Sequence, residues 1–262
     1  MIDIHTHILH GIDDGSKNIE LSVDQIKIMA DSGVTDIVFT PHYIRNSYHN
    51  TEEVILPKFK ELSEAVKKEG IEISLYHAAE VYLEKNIIND IKKENFRINN
   101  TRYVLVETSL SAFPADLYTI LYNLVKDGYK PILAHPERYS NIGMNFNLAE
   151  DMMYRNVYLQ MNAGSILGNY GAQVRKTALK MLEHGYVHFL ASDNHCKSDN
   201  YVLPQAVDFI KKNYDDYFAE LLTEENPRKM LNNEDIDYFY LKTENIFENK
   251  KGFFDRFLSL FR

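Results

Sequence analysis

The sequence predicts a single α/β domain arranged as a TIM-like (β/α)7 barrel. Short β-branched runs alternate with helix-length amphipathic runs from the first residue to about residue 240, and no low-complexity linker or internal repeat interrupts them. Residues of the types that bind metals recur where the predicted strands end. At 262 residues and 45% hydrophobic content the chain can bury one large core or two smaller ones, and the unbroken alternation selects one.

The first strand is expected at 1–7, followed after the loop IDDGS by a helix over 19–32. In that helix Val23, Ile26, Met29 and Ala30 recur at helical spacing, and Gly33 closes the run. A second strand at 35–41 (TDIVFTP) leads to a helical stretch at 51–69 stopped by Gly70, with Pro57 predicting a kink or a late start. Further strands are expected at 71–80, 103–108, 130–136, 157–162 and 187–192, giving seven in a mainly parallel arrangement. The domain is thus placed at 1–240, with a separate C-terminal tail at 241–262.

Within that tail, Phe253, Phe254, Phe257, Leu258 and Phe261 fall on one helical face, with Lys250, Lys251, Arg256 and Arg262 near its edges. A short basic, aromatic amphipathic segment at 249–262 suits a membrane surface or a partner groove. The plain alternative is that it packs on the barrel or pairs in a homo-oligomer.

The net charge of −9 and the absence of any Lys/Arg block in the globular part disfavour a general nucleic-acid binder. Carboxylates gathered around cations are one explanation of the acidic excess; ordinary solvating surface charge accounts for most of the 38 acidic residues. One cysteine, Cys196, excludes an internal disulfide and fits a reducing cytoplasm. No signal-peptide pattern and no apolar run of about 18 residues occurs, so neither export nor a membrane span is expected.

The chemistry gathers at the strand ends. His5 and His7, two apart on a strand, face the same way. His42 follows TDIVFTP, Glu80 ends LYHAAE, Glu107 ends YVLVE, His135 ends PILAH, and Asp193 with His195 ends FLASDNH. In a closed parallel barrel these edges converge on one mouth. Of Asp13 and Asp14 before Gly15, one carboxylate suits a metal and the other suits capping the next helix. The mixed nitrogen and oxygen set exceeds one divalent ion but suits two or three bridged by a carboxylate such as Glu80. It fits Mn, Fe or Zn better than Ca. Arg138, three residues after His135, is placed to bind phosphate bidentately, against the plainer reading of a salt bridge with Glu137.

A cysteine-based phosphatase needs Cys, five residues and Arg, but six places after Cys196 stands Val202. Cys196 is therefore read as a bystander. His10, His49, His77, His184 and His188 are read as ordinary core or surface residues, while Tyr43, Tyr48 and Tyr139 are candidates to stack on a phenyl ring at the mouth.

MIDIHTH, the DDGS loop, TPH, HAAE, VLVET, AHPERY, ASDNH and the late NPRKML together resemble the polymerase-and-histidinol-phosphatase (PHP) superfamily. More narrowly they resemble the bacterial manganese-dependent protein-tyrosine phosphatases of capsule and exopolysaccharide operons. The resemblance runs from Met1 to about Leu231. It implies a distorted seven-stranded β/α barrel with a trinuclear centre, most simply two or three Mn2+ with Fe or Zn as alternatives. Its ligands would be His5, His7, Asp14, His42, Glu80, Glu107, His135, Asp193 and His195, with Arg138 on phosphate. It also implies a partner: an autophosphorylating tyrosine kinase that controls polysaccharide export and whose Tyr-rich tail is the substrate. The chain departs from the pattern after Asp193-x-His195, where HCKSDNYVLP offers Lys197 in place of a second arginine.

The reaction expected is hydrolysis of phosphotyrosine, with hydroxide rather than a side chain as nucleophile. The alternatives are a small phosphomonoester such as histidinol phosphate, a nucleic-acid phosphoester, and a non-enzymatic scaffold that only binds its kinase. The expected compartment is the cytoplasm, with the inner face of the membrane, a partner groove, the barrel itself and a homo-oligomer left as alternatives for the tail.

Overall fold

A computed structural model gives the structure of residues 1–237. The tail segment 249–262 and the boundary placed at 240/241 lie outside the described residues.

Ten strands occur among the described residues: β1 Ile2–Thr6, β2 Asp36–Phe39, β3 His42–Ile44, β4 Tyr48–His49, β5 Ser74–His77, β6 Glu80–Tyr82, β7 Tyr103–Glu107, β8 Lys130–Ala134, β9 Tyr158–Asn162 and β10 Phe189–Ala191. They form two ladders, β1-β2-β5 and β10-β9-β8-β7-β6-β3-β4, parallel except for the β3–β4 hairpin. The ladders are parts of one ring. β2 runs into β3 and β5 runs into β6, so each pair is a single stave that changes neighbours halfway up. The ring closes where Asp193 N–H donates to the His5 carbonyl and His7 N–H to that of Asn194, both at 2.9 Å. Seven staves result, as the sequence predicts, but the expected strands 35–41 and 71–80 are each broken. Pro41 has no N–H to give the ladder, and the chain steps over it as Thr40 N–H bonds Thr6 O and Glu80 N–H bonds Pro41 O.

The first expected helix is Ile19–Asp31, and its N-cap is Asn18, whose side chain accepts from Leu21 N–H. Asp13 therefore does not cap it. The helix Glu52–Lys68 contains Pro57 yet starts at Glu52, so the late start is not seen.

Alternation along the staves sorts the core into two layers. Val104, Val106, Leu133, Leu159, Met161 and Leu190 face the outer helices. Ile4, Val38, Leu105, Ile132, Tyr158 and Phe189 fill the barrel interior, and Met230, Leu231 and Ile236 join this inner cluster. NPRKML is the helix Asn226–Leu231, clasped to β2 by Arg228, whose Nη1 and Nη2 donate to Asp36 Oδ1 and Oδ2 at 2.9 and 2.8 Å. Tyr103 and Tyr158 hydroxyls donate to the carbonyls of Glu234 and Ile236. His188, fully buried, accepts from Leu159 N–H, and burial pushes its pKa down to about 3. With apolar residues filling the strand starts, polar residues are left for the strand ends.

Candidate metal centre

All nine expected ligand residues meet at the C-terminal mouth of the barrel. Three overlapping groups each bring ligand atoms within 4.8 Å of one another: His5, His7 and Asp193; His7, Asp14, His42 and His195; and His42, Glu80 and Glu107. His135 joins them through Glu80, its Nε2 3.1 Å from Oε1. Glu80 is the hub, since its Oε2 also lies 3.3, 3.4 and 3.0 Å from nitrogens of His5, His7 and His42.

The way the imidazoles are tied identifies which atoms are left for a cation. His7 Nδ1 donates to Asp13 Oδ2 at 2.7 Å, which turns its Nε2 inward. Nε2 of His5 and Nε2 of His7 then face each other at 3.2 Å, with Asp193 Oδ1 at 3.4 and 3.5 Å. Two ring nitrogens and a carboxylate oxygen converging in this way fit a shared cation better than they fit one another. Glu80 Oε2 and His42 Nδ1 make the same point. They approach to 3.0 Å, yet neither has a hydrogen bond of acceptable angle, and both are buried. Buried groups of this kind, imidazole and carboxylate without thiolate, fit a borderline divalent metal.

Asp13 is the correction to the expected division of labour. Its carboxylate accepts from His7 Nδ1, from Gly15 N–H and from the backbone N–H of His42, so it orients the His7 imidazole and pins the backbone at His42 instead of starting a helix. Asp14, on the outer side, lies 3.4 Å from His42 and 3.2 Å from His195. Gly15 permits this loop to lie against β1. A Cβ there would stand 1.8 Å from the His7 carbonyl oxygen.

Electrostatics follow from the crowding. Burial disfavours charge on His7 and His42, but Asp13 raises the first to about 10, and Glu107 with Glu80 raises the second to about 11. His5 is raised too, with Glu80 and Asp193 overcoming its burial. Burial and the neighbouring His7 press His195 down to about 4. Burial opposes the charges of Glu80 and Asp193, yet the surrounding imidazoles hold both carboxyls below their ordinary range.

Arg138 sits at the rim. Its Nη1 donates to Asp193 Oδ2 at 3.2 Å, and its guanidinium lies 4.4 Å from the centre of the Tyr170 ring. It does not pair with Glu137, whose buried Oε1 accepts from Asn162 N–H and Ser165 Oγ. Tyr170 is a site residue the sequence reading missed, because a loop tyrosine 32 positions from Arg138 gives no local signal. Tyr43 and Tyr139 are not available for stacking. Both are buried, Tyr43 donating to Asp90 and the Tyr139 hydroxyl accepting from Thr108 N–H. Tyr48 remains at the mouth, stacked on His42 at 5.8 Å. Burial pushes the Cys196 thiol up to about 12, which agrees with a bystander.

A parallel barrel with imidazoles and carboxylates converging on its strand ends defines the class of metal-centred barrel hydrolases. Within that class, the chain belongs to the capsular polysaccharide synthesis family CpsB/CapC, whose model matches residues 1–232. It is 36% identical over 239 residues to the CapC protein of Staphylococcus aureus, covering 90% of this chain and 93% of that one. It is 32% identical over 238 residues to the tyrosine-protein phosphatase CpsB of Streptococcus pneumoniae, covering 88% and 98%. Among solved structures, one from work on YwqE of Bacillus subtilis and CpsB of S. pneumoniae, described as unique metal-dependent tyrosine phosphatases, superposes with a TM-score of 0.85 at 29% identity, covering 90% and 96%. These matches bear out the resemblance read from the motifs.

Proposed function

We propose that this chain is a metal-dependent protein-tyrosine phosphatase, a phosphoric monoester hydrolase acting on the phosphotyrosine tail of a bacterial tyrosine kinase that controls capsular or exopolysaccharide synthesis. The observation that carries this reading is the convergence of His5, His7, Asp14, His42, Glu80, Glu107, His135, Asp193 and His195 into three overlapping groups with Arg138 on their rim. In it these nine residues are the metal ligands, two or three Mn2+ are the ions, and Arg138 is the phosphate-binding residue.

Charge balance supports a phosphate monoester. The mouth holds the five carboxylates Asp13, Asp14, Glu80, Glu107 and Asp193. Against the three divalent cations of a trinuclear centre and one guanidinium they leave two positive charges, whereas two cations leave none, and a phosphotyrosine, which brings about −2 at neutral pH, matches the trinuclear case. A nucleic-acid phosphodiester brings half of that. The net acidic chain also disfavours nucleic acid.

When bound, the cations supply Lewis acidity and activate water. The protein does the rest. His5, His7 and Asp193 present their inward atoms at fixed spacing, and Glu80 links that group to the one containing His42 and Glu107. Burial and the neighbouring His7 disfavour a proton on His195 in the metal-free mouth. Arg138, braced by the face of Tyr170, offers its remaining N–H groups to the phosphoryl oxygens.

No helix among the described residues is long and apolar enough to cross a membrane. The barrel is assigned to residues 1–240, acting in the cytoplasm. Segment 249–262, beyond the 1–232 shared with the family, is assigned by its basic and aromatic sequence to peripheral contact with the inner membrane face.

Purified protein with Mn2+ is expected to release phosphate from a phosphotyrosine peptide, to lose that activity in EDTA, and to carry two or three metals per chain by elemental analysis. No release, with no effect of EDTA, overturns the reading.

A further inference from the structure

Six of the seven staves end in imidazole or carboxylate at the mouth. The exception is β9, which ends in amides: its inward positions above Tyr158 are Gln160 and Asn162, both fully buried. Burying two primary amides in a barrel is costly unless each is satisfied. Here they are satisfied by one another and by two members of the candidate centre.

His5 Nδ1 lies 2.8 Å from Gln160 Oε1, Gln160 Nε2 donates to Asn162 Oδ1 at 3.0 Å, and Asn162 Nδ2 donates to Asp193 Oδ2 at 2.6 Å. The chain of donors runs in one direction only. A nitrogen that ligates a cation must be unprotonated, so His5 with Nε2 turned toward His7 carries its proton on Nδ1. That proton needs an acceptor, which fixes the Gln160 carbonyl toward His5 and its NH2 toward Asn162. The Asn162 carbonyl then faces Gln160, leaving its NH2 for Asp193. The outer oxygen of Asp193 is thereby occupied, and Oδ1 is the oxygen left near the nitrogens of His5 and His7. A carboxylate in place of Gln160 could accept from His5 but could not donate to Asn162.

We propose that Gln160 and Asn162 are positioning residues that fix the His5 tautomer and the Asp193 rotamer as one unit, and so set the affinity of the centre for its divalent cation. This rests on the reading of His5 and Asp193 as ligands. The relay is continuous from residue 5 to residue 193, so a break at either amide loosens the unit, most where neither end keeps its bond. Partners of this kind are typically worth about 10- to 100-fold in metal affinity.

The test uses the full chain, stripped of metal and titrated with Mn2+ against a chelating indicator, with thermal unfolding of the metal-free form measured alongside. Q160M and N162S are each expected to weaken Mn2+ binding by about tenfold or more, and the double variant by little more than the worse single one. Q160E, which keeps the acceptor for His5, is expected to recover part of the loss. The metal-free melting temperature should not follow the order of the affinities, as it would if the amides only filled space. Should Q160M not fold, N162S carries the same expectation, since it only shortens the side chain. Affinities within about threefold of wild type, fully additive losses, or losses that track the metal-free melting temperature overturn the relay while leaving the metal centre intact. A wild-type chain that binds no Mn2+ overturns the ligand reading and the relay with it.

Discussion

Replacing Arg138 by methionine removes a rim cation that touches the cluster through Asp193 while keeping most of the side chain's volume. The loss expected is that of a preorganised charged donor aimed at the phosphoryl group, about 100- to 1,000-fold in kcat/KM, or roughly 3–4 kcal/mol. The structure also says what should not change. Arg138 shares Asp193 Oδ2 with Asn162, and the Asn162 bond is the shorter at 2.6 Å against 3.2 Å, so Asp193 keeps its orientation without the guanidinium. R138M should therefore retain its metal. R138K keeps the charge but not the planar fork that lies over Tyr170, and should recover only part of the rate. Tyr170→Ala, which removes one ring face, should cost about three- to fivefold, the size of a partly exposed cation–π contact. The assay is steady-state release of phosphate from a phosphotyrosine peptide, with metal content measured on the same samples. Metal-replete R138M within about threefold of wild type refutes the phosphate role. A rate loss matched by metal loss instead places Arg138 among the supports of Asp193.

Glu80→Gln preserves shape but neutralises the carboxylate that approaches His5, His7, His42 and His135, and is expected to lower the metal count per chain and cut phosphate release at least about 100-fold; elemental analysis and turnover check both. Arg228→Met strands Asp36, which is only 3% exposed, and should destabilise the metal-free protein by about 2 kcal/mol in urea, discounted from a fully buried pair because the arginine side chain is itself 40% exposed. Adding Asp36→Asn should recover part of that loss, and a strictly additive double variant would refute the clasp. Buried His188 stays neutral down to about 3 while the unfolded chain takes up its proton near 6.5, so stability falls as pH drops through that interval, on the order of 1 kcal/mol per pH unit. His188→Asn should flatten that slope in the metal-free protein, and an unchanged slope would sink the assignment. Cys196→Ser should keep its rate within about twofold, and wild type should resist iodoacetamide, because the thiol is pushed up to about 12 by burial.

The stave count and the set of residues that meet at the mouth were legible because both obey a periodicity. Alternation places every second residue of β7, β8 and β9 inside, and a parallel barrel brings all strand ends to one mouth, so a residue such as Glu107 or His135 announces itself by position. What was not legible depends on contacts between distant segments. Asp13 and Asp14 are equivalent in sequence, and only the fold of the loop over β1 decides that the first reaches His7 and the second His195. The breaks at Pro41 and at Ala78–Ala79 belong to a change of neighbour, which no single strand encodes. Gln160 and Asn162 were passed over for a different reason: they sit where ligands were sought but are amides, and their role appears only once His5 and Asp193 flank them.

The backbone carries a trace of the same organisation. Two of the expected ligands, His135 and Asp193, have left-handed backbones, with φ of 39° and 54°. Non-glycine residues held in sparse backbone regions cost on the order of 1–3 kcal/mol each and persist only where their surroundings over-determine them. Asp193 is fixed at three points: its N–H by the His5 carbonyl, and its outer oxygen by Asn162 and by Arg138. His135 is held by Glu80 at its Nε2 and by the turn in which Arg138 N–H bonds its carbonyl. At both places the chain has left its strand and must turn the side chain back across the mouth instead of letting it follow the stave outward. The strain is therefore located where convergence of the candidate ligands requires it, and the groups that hold it include Asn162, whose removal the relay experiment measures.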